Sequence, residues 1–445
     1  MSLLSSITLS STSAEEARNL TLRSLDELLP AERAAKVGVR LWDGTLWPDD
    51  TPRPTTVVLK HPGALRAMFL AGNEVGLGEA YLCDAFDIEG EVEDVFSLAE
   101  ALGARSWGWL QRARAVTDLL HLPRREENGN APYPAPRRAA RLHGKRHSIE
   151  RDRQAIAYHY NASNDFYALW LDSRMVYSCA YFASPGDALD VAQERKLDYI
   201  CRKLRLRPGQ KLLDVGCGWG GLIMHAARHY GVDATGITLS EAQAKLATER
   251  ITAQNLEERC RVLLCDYREL DDTAYDALVS VGMFEHVGAE MLPKYFRLAW
   301  EKLRPRGVFL NHGIACNATV QLTPGPSFID SYIFPDGELV PINVTLRHAE
   351  ENGFEVRDVE SLREHYTLTL RHWVSRLEAR HEHALRCVDE ATYRSWRLYM
   401  AGSAHGFNIG RLNLYQTLLV KTDTNGQSGL PLTRADWYGA QDGER

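Results

Sequence analysis

A doubly wound, mostly parallel α/β sheet preceded by a smaller α+β unit is the fold class expected of this chain, on three observations. From Lys211 the pattern runs strand, glycine turn, helix, strand, the order of a βαβ unit. The turn itself, Gly216-Cys217-Gly218-Trp219-Gly220, follows directly on the short apolar run Lys211 to Val215, the place where open α/β sheets bring bare backbone up to a ligand. The length of 445 residues exceeds the usual single domain, and composition shifts sharply near Pro123, so two folded units joined by a linker are expected.

In chain order, Val37 to Asp43 alternates apolar and polar residues before Gly44, and Thr56-Val57-Val58-Leu59 is β-branched before Pro62-Gly63; both predict strands. Ala64 to Ala71 and Val92 to Leu102 carry helical spacing, and Gly76 to Tyr81 predicts a turn into another short helix. These elements make an N-terminal α+β unit over residues 1–122. Residues 123–153 predict a basic linker, interrupted by Pro132, Pro134 and Pro136 and crowded by Arg124, Arg125, Arg137, Arg138, Arg141, Lys145, Arg146, Arg151 and Arg153. That charge run reads either as a solvated tether or as a face drawn to anionic lipid headgroups.

Over residues 154–421 the main unit follows. Lys211 to Val215 predicts a buried strand, Leu222 to Tyr230 an amphipathic helix and Asp233 to Ile237 a second strand. Tyr275 to Val281 and Gly307 to Asn311 add strands, separated by a helix over Leu292 to Leu303. Residues 422–445 mix Gly, Ser, Asp and Gln and predict a loosely ordered tail.

Composition sets bounds on function. The net charge of -7 gives no global case for nucleic-acid binding, and no stretch approaches the roughly 18 uninterrupted apolar residues of a membrane span. The eight cysteines form no CxxC pair and no disulfide framework, so reduced thiols are expected, and no metal site is. Met1 to Ile7 lacks the cationic start and apolar core of a secretory signal; a cytoplasmic location is expected.

The glycine turn alone is compatible with many ligands. A dinucleotide site calls for an acidic residue at the end of the second strand, whereas here that strand ends in Ile237-Thr238-Leu239-Ser240. With Asp214 before the glycines and Cys265-Asp266-Tyr267 after the next strand, the arrangement resembles that of Rossmann-like, class I S-adenosylmethionine-dependent methyltransferases. The resemblance implies that successive strand ends hold the methionine, ribose and adenine parts of the cofactor.

More specific are Tyr158-His159-Tyr160-Asn161, Asn164-Asp165-Phe166-Tyr167, Tyr177-Ser178-Cys179-Ala180-Tyr181-Phe182, Gly282-Met283-Phe284-Glu285-His286-Val287-Gly288 and Tyr332-Ile333-Phe334-Pro335-Asp336-Gly337. In order and spacing these resemble the cyclopropane-fatty-acyl-phospholipid synthase family, over about Tyr158 to Val420. Gly76-Leu77-Gly78-Glu79-Ala80-Tyr81 is similar to the extra N-terminal domain of the phospholipid-acting members.

The resemblance implies insertion of a methylene across a cis double bond of a phospholipid acyl chain, with S-adenosylmethionine and bicarbonate as cofactors. It places Tyr177, Ser178, Gly216, Gly218, Gly220, Thr238, Leu239, Ser240, Gln243, Asp266 and Tyr267 around S-adenosylmethionine. It places Cys179, Glu285, His312, the backbone of Ile314, and Tyr366 around bicarbonate. Unsaturated phospholipid acyl chains, an anionic membrane surface touched peripherally, and a second copy of the chain through the N-terminal unit are the implied partners. One departure is Ser403 in Gly402-Ser403-Ala404-His405-Gly406-Phe407, where relatives often carry a cysteine once proposed as a nucleophile. Rival readings are a sister enzyme on the same lipids that leaves a methylene or methyl branch, and a non-catalytic lipid-binding protein.

Overall fold

A computed structural model describes residues 13–29, 36–103, 106, 108–124, 139–160, 162–271, 274–319 and 327–438. Residues 125–138 of the basic linker, including its three prolines and Arg125, Arg137 and Arg138, lie outside the described residues. The chain groups into two compact units: Met1–Ala139 with Gly325–Ile333 and Asp389–His405, and Ala140–Pro324 with Phe334–Val388 and Gly406–Arg445.

In the first unit, strands β1 (Val37–Arg40), β2 (Leu46–Trp47), β3 (Thr55–Leu59) and β4 (Phe86–Glu89) form a sheet in the order β2-β1-β3-β4. Its apolar side, with Val37, Val39, Val57, Leu59 and Ile88 all under 8 % exposed, is the alternating face that the sequence pattern announces. Two distant segments complete this core. Arg394, on helix Glu390–Asn408, donates to the carbonyls of Tyr81 (3.0 Å) and Phe86 (3.3 Å) and to Asp84 (2.7 Å). Arg397 donates to the Tyr81 hydroxyl (2.8 Å) and the Ile88 carbonyl (3.1 Å). Phe328 packs so closely on Gly78 that a Cβ there would sit 2.3 Å from its ring, and the Tyr332 hydroxyl donates to Glu79 at 2.6 Å.

The second unit is built on seven strands: β5 (Lys211–Val215), β6 (Asp233–Thr238), β7 (Cys260–Leu264), β8 (Tyr275–Val281), β9 (Leu303–Cys316), β10 (Glu355–Ser361) and β11 (Leu412–Val420). Their order is β10-β11-β9-β8-β5-β6-β7. Pairing is parallel from β9 through β8, β5 and β6 to β7, and β11 alone runs against its neighbours. The sheet is therefore doubly wound and mostly parallel as expected, and its order reverses between β5 and β8, where ligands bind in such sheets.

Four local expectations change. Gly76 to Tyr81, expected as a turn into a short helix, lies wholly inside helix Glu74–Leu82, which Asn73 caps. The strand expected over Gly307 to Asn311 is the centre of the 14-residue β9, because β11, which is not among the expected strands, pairs with it from Val308 through Cys316. Arg151 and Arg153 do not belong to an extended linker: they lie on helix Ile149–Tyr160, where Arg151 grips Asp336 with two bonds (2.5 and 2.9 Å) and Arg153 meets Glu269 at 2.8 Å. The described part of the expected loose tail docks, with Trp437 only 2 % exposed on helix Ala435–Tyr438 and Asp436 paired to Arg205 at 2.7 Å.

Candidate active site

At the carboxyl ends of β5, β6, β7 and β8 lies a cavity of about 140 Å³. The turn after β5 forms its floor. Gly216, Gly218 and Gly220 adopt φ of +88°, +54° and +80°, a region that side chains resist. The N–H groups of Gly216 and Cys217 both donate to the Ile237 carbonyl, at 3.0 and 2.9 Å, which ties the turn to β6.

Of the residues expected around the cofactor, Tyr177, Ser178, Gly216, Gly218, Thr238, Leu239, Gln243, Asp266 and Tyr267 line the cavity; Gly220 and Ser240 do not. Gly220 is the N-cap of helix Gly221–Tyr230, and Ser240 caps helix Glu241–Ala253 by accepting from the Gln243 N–H at 3.3 Å. Thr238 donates to the Gln243 side chain at 2.8 Å, which fixes its amide. Asp266, 1 % exposed, is held by two 2.7 Å bonds from Arg268. Tyr177 stands in an aromatic box, with ring centroids 5.7 Å from His159, 5.4 Å from Trp170 and 5.2 Å from Trp373.

Several cavity residues have no counterpart among those expected from the sequence, Lys196 foremost. Lys196, 1 % exposed, donates to the Ser178 hydroxyl at 2.7 Å. Burial pulls its pKa down to about 8, against the attraction of Asp172, Cys179 and Asp214. Asp214, at the end of β5, is in turn pushed up to about 7 by burial, with Lys196 opposing, and its Oδ1 has no partner. A signal was present: Leu189, Gln193, Lys196, Ile200 and Lys203 form one buried stripe of helix Leu189–Lys203, and three of those five are polar. Polar groups on an inward helical face need partners there.

None of the five residues expected around bicarbonate lines the cavity itself; they stand next to wall residues. Glu285 follows Met283 on a 3-10 turn and is buried, and its Oε1 accepts from the Ile314 N–H at 2.6 Å. Burial pushes its pKa up to about 7, with that N–H opposing. Its Oε2 is buried without a partner. His312 lies two residues before Ile314 on β9, opposite Gln416 on β11, whose amide nitrogen is 3.2 Å from the His312 Nδ1. An amide NH2 can only donate, so Nδ1 accepts and the ring proton sits on Nε2; that atom too is buried with no partner. Burial first, then Lys196, holds this histidine neutral.

Cys179, fully buried, directs its thiol to the carbonyls of Ala180 (3.3 Å) and Leu362 (3.8 Å), and burial raises its pKa. The Tyr366 N–H uses the same Leu362 carbonyl at 3.1 Å, and its ring packs on Phe407 at 4.7 Å. The structure thus joins Glu285 to Ile314 and Cys179 to Tyr366 through shared backbone groups.

The donor set fits both implied cofactors. A bicarbonate ion brings one O–H to give and oxygens to receive, matching the vacant acceptor of Glu285 and the vacant donor of His312. For S-adenosylmethionine, the bare glycine turn, the Thr238–Gln243 pair and the Ser178 hydroxyl all line one cavity. Among the described residues no cluster of His, Cys, Asp and Glu could hold a metal ion.

Known proteins resemble this one along most of its length. Residues 147–417 match the family model described as mycolic acid cyclopropane synthetase. The chain is 40 % identical over 421 residues to a probable fatty acid methyltransferase of Pseudomonas putida, covering 93 % of this chain and 100 % of the relative. It is 32 % identical over 378 residues to the cyclopropane-fatty-acyl-phospholipid synthase of Escherichia coli K12, covering 84 % and 90 %. Among solved structures, the mycolic acid cyclopropane synthase CmaA1 complexed with SAH and CTAB superposes with a TM-score of 0.57 at 36 % identity, over 60 % of this chain and 97 % of that one.

Proposed function

Because the chain belongs to the mycolic acid cyclopropane synthetase family of S-adenosylmethionine-dependent methyltransferases, we propose that it converts a cis double bond of a membrane phospholipid acyl chain to a cyclopropane. In this reading S-adenosylmethionine supplies an electrophilic methyl group and bicarbonate a proton acceptor for ring closure. The observation that carries it is the pair of buried, unpartnered atoms Glu285 Oε2 and His312 Nε2, a complementary acceptor and donor.

The chain's own residues have three tasks. An isolated alkene is a feeble nucleophile, so the site must hold it in line with the methyl carbon and keep water away. Lys196 fixes the Ser178 hydroxyl, and Thr238 with Gln243 fixes the far side of the cavity. Of the aromatic box only Tyr177 lines the cavity, and its face offers positive charge on the acyl chain about 1–2 kcal/mol when desolvated. Glu285 accepts the anion's hydroxyl and the His312 Nε2–H donates to its oxygen, with Cys179, the Ile314 backbone and Tyr366 assigned to the same group by family resemblance.

The name of the Pseudomonas putida relative, a fatty acid methyltransferase, supports a second reading in which a methylene or methyl branch is left instead of a ring. Incubation with S-adenosylmethionine, bicarbonate and vesicles of monounsaturated phospholipid, followed by mass spectrometry and proton NMR of the released fatty acids, separates the two. A gain of one CH2 with cyclopropyl signals is expected. Vinylidene or methyl-branch signals select the second reading, and failure to bind S-adenosylmethionine points to a lipid-binding protein without catalysis.

No helix among the described residues is long and apolar enough to cross a membrane. With a lipid substrate, the protein reaches it from the cytoplasmic side of an anionic surface, as a homodimer joined through the N-terminal unit.

A further inference from the structure

Helix Trp109–His121 is apolar on two faces. One is used within the first unit, where Leu119 is 5 % exposed and the helix packs on Ala14–Leu28 and Ala64–Phe69. The other meets solvent: Trp109 is 77 %, Leu110 63 %, Val116 47 % and Leu120 44 % exposed. Positions 109, 116 and 120 recur at helical spacing, with exposed Ala113 between them and Leu110 on the border, so they form one continuous stripe. At 100° per residue, Arg112 and Arg114 fall on opposite edges of that stripe. Arg112 is exposed, and Arg114 stays 69 % exposed while pairing with Glu27 at 3.5 Å.

Single exposed apolar residues are ordinary on a soluble surface; a stripe with tryptophan at its end and arginines along both edges is the composition of a helix that lies in a lipid interface. Charge selects the kind of surface. From Arg112 to Arg141 the sequence carries seven arginines against three carboxylates, within a chain of net charge -7. So strong a local reversal of sign is complementary to an anionic partner.

Resting on the reading that the substrate is an acyl chain held in a membrane, we propose that helix Trp109–His121 lies flat on an anionic lipid surface. Trp109, Leu110, Val116 and Leu120 enter the boundary between headgroups and acyl chains, and Arg112 and Arg114 meet lipid phosphates. The catalytic unit is thereby held at the surface from which its substrate must be drawn.

The test is co-sedimentation of the full chain with vesicles of phosphatidylglycerol and phosphatidylcholine, against phosphatidylcholine alone. Trp109→Ser with Leu120→Ser is expected to weaken binding to the anionic vesicles at least tenfold. Arg112→Gln with Arg114→Gln is expected to weaken it and to flatten its dependence on salt. Both variants should bind S-adenosylhomocysteine as the parent does, which shows that they fold. Unchanged vesicle binding by the Trp109/Leu120 variant overturns the proposal. So does conversion of an oligomer to monomers with vesicle binding intact, because the stripe then joins copies of the chain. Turnover of unsaturated phospholipid dispersed in detergent is measured separately. Its absence in the parent protein refutes the catalytic reading, while the vesicle result still decides the surface.

Discussion

Burial keeps Glu285 protonated up to a pH of about 7, yet the role proposed for it, accepting a hydrogen bond from the hydroxyl of bicarbonate, calls for its carboxylate form. The two demands give opposite signs for one substitution. Below the ordinary carboxyl pKa both folded and unfolded chains are protonated and the side chain costs nothing. As pH rises toward about 7 the unfolded chain ionises first, so stability falls; above that the buried charge costs up to about 3 kcal/mol. Glu285→Gln is therefore expected to be more stable than the parent in urea unfolding at pH 8 and equal to it below pH about 4.5. Its turnover should fall on the order of 100-fold, with S-adenosylhomocysteine affinity nearly unchanged. In the parent, with bicarbonate saturating, turnover should decline as pH drops through 7. A variant no more stable at pH 8 would sink the account of Glu285 as a strained, uncompensated acid. The motif around Glu285 was legible in the chain; its protonation was not, because that depends on the water excluded by β9 and its neighbours.

At the scale of the element, helix Gly221–Tyr230 has a left-handed glycine near each end with different work to do. Gly216, in the turn before it, has φ +88°, and a Cβ there would lie 2.8 Å from Met283 on the cavity wall. Gly231, its C-cap, has φ +65° and would meet Pro208 at 3.3 Å, away from the cavity. Alanine at either site should cost about 1–2 kcal/mol for the backbone conformation alone. Only Gly216→Ala should also weaken S-adenosylhomocysteine binding, by at least tenfold in a calorimetric titration; equal affinity losses in both would refute the assignment of the turn to the cofactor. These elements were readable because a glycine turn between an apolar run and an amphipathic helix is a local pattern. Strand β11 and the full length of β9 were not, since their limits are set by pairing between residues about 100 positions apart, Val308 with Val420 and Cys316 with Leu412.

The whole molecule does not divide where its composition does. Residues 1–122 read as a self-contained unit, but the first unit takes Arg394 and Arg397 from helix Glu390–Asn408, and Phe328 and Tyr332 from Gly325–Ile333. A fragment of residues 1–122 would lose the hydrogen bonds that Arg394 and Arg397 give to the carbonyls of Tyr81, Phe86 and Ile88, at about 1.5–3 kcal/mol for each bond to a charged donor. Such a fragment is expected to lack cooperative unfolding and a dispersed amide NMR spectrum. The intact chain with Arg397→Met should lose amide protection at Ile88 and its neighbours first. A well-folded 1–122 fragment would contradict the grouping.

By itself the sequence determined the βαβ core, the glycine turn and the family, and it singled out nine of the residues that line the cavity, because each of these is written in motifs of neighbouring positions. Only the tertiary structure decided that Lys196 stands buried against Ser178, that Glu285 and His312 each keep one polar atom unpartnered, and that two late segments complete the first unit. Those are facts of burial and of hydrogen bonds between residues far apart in the chain, and no local pattern carries them.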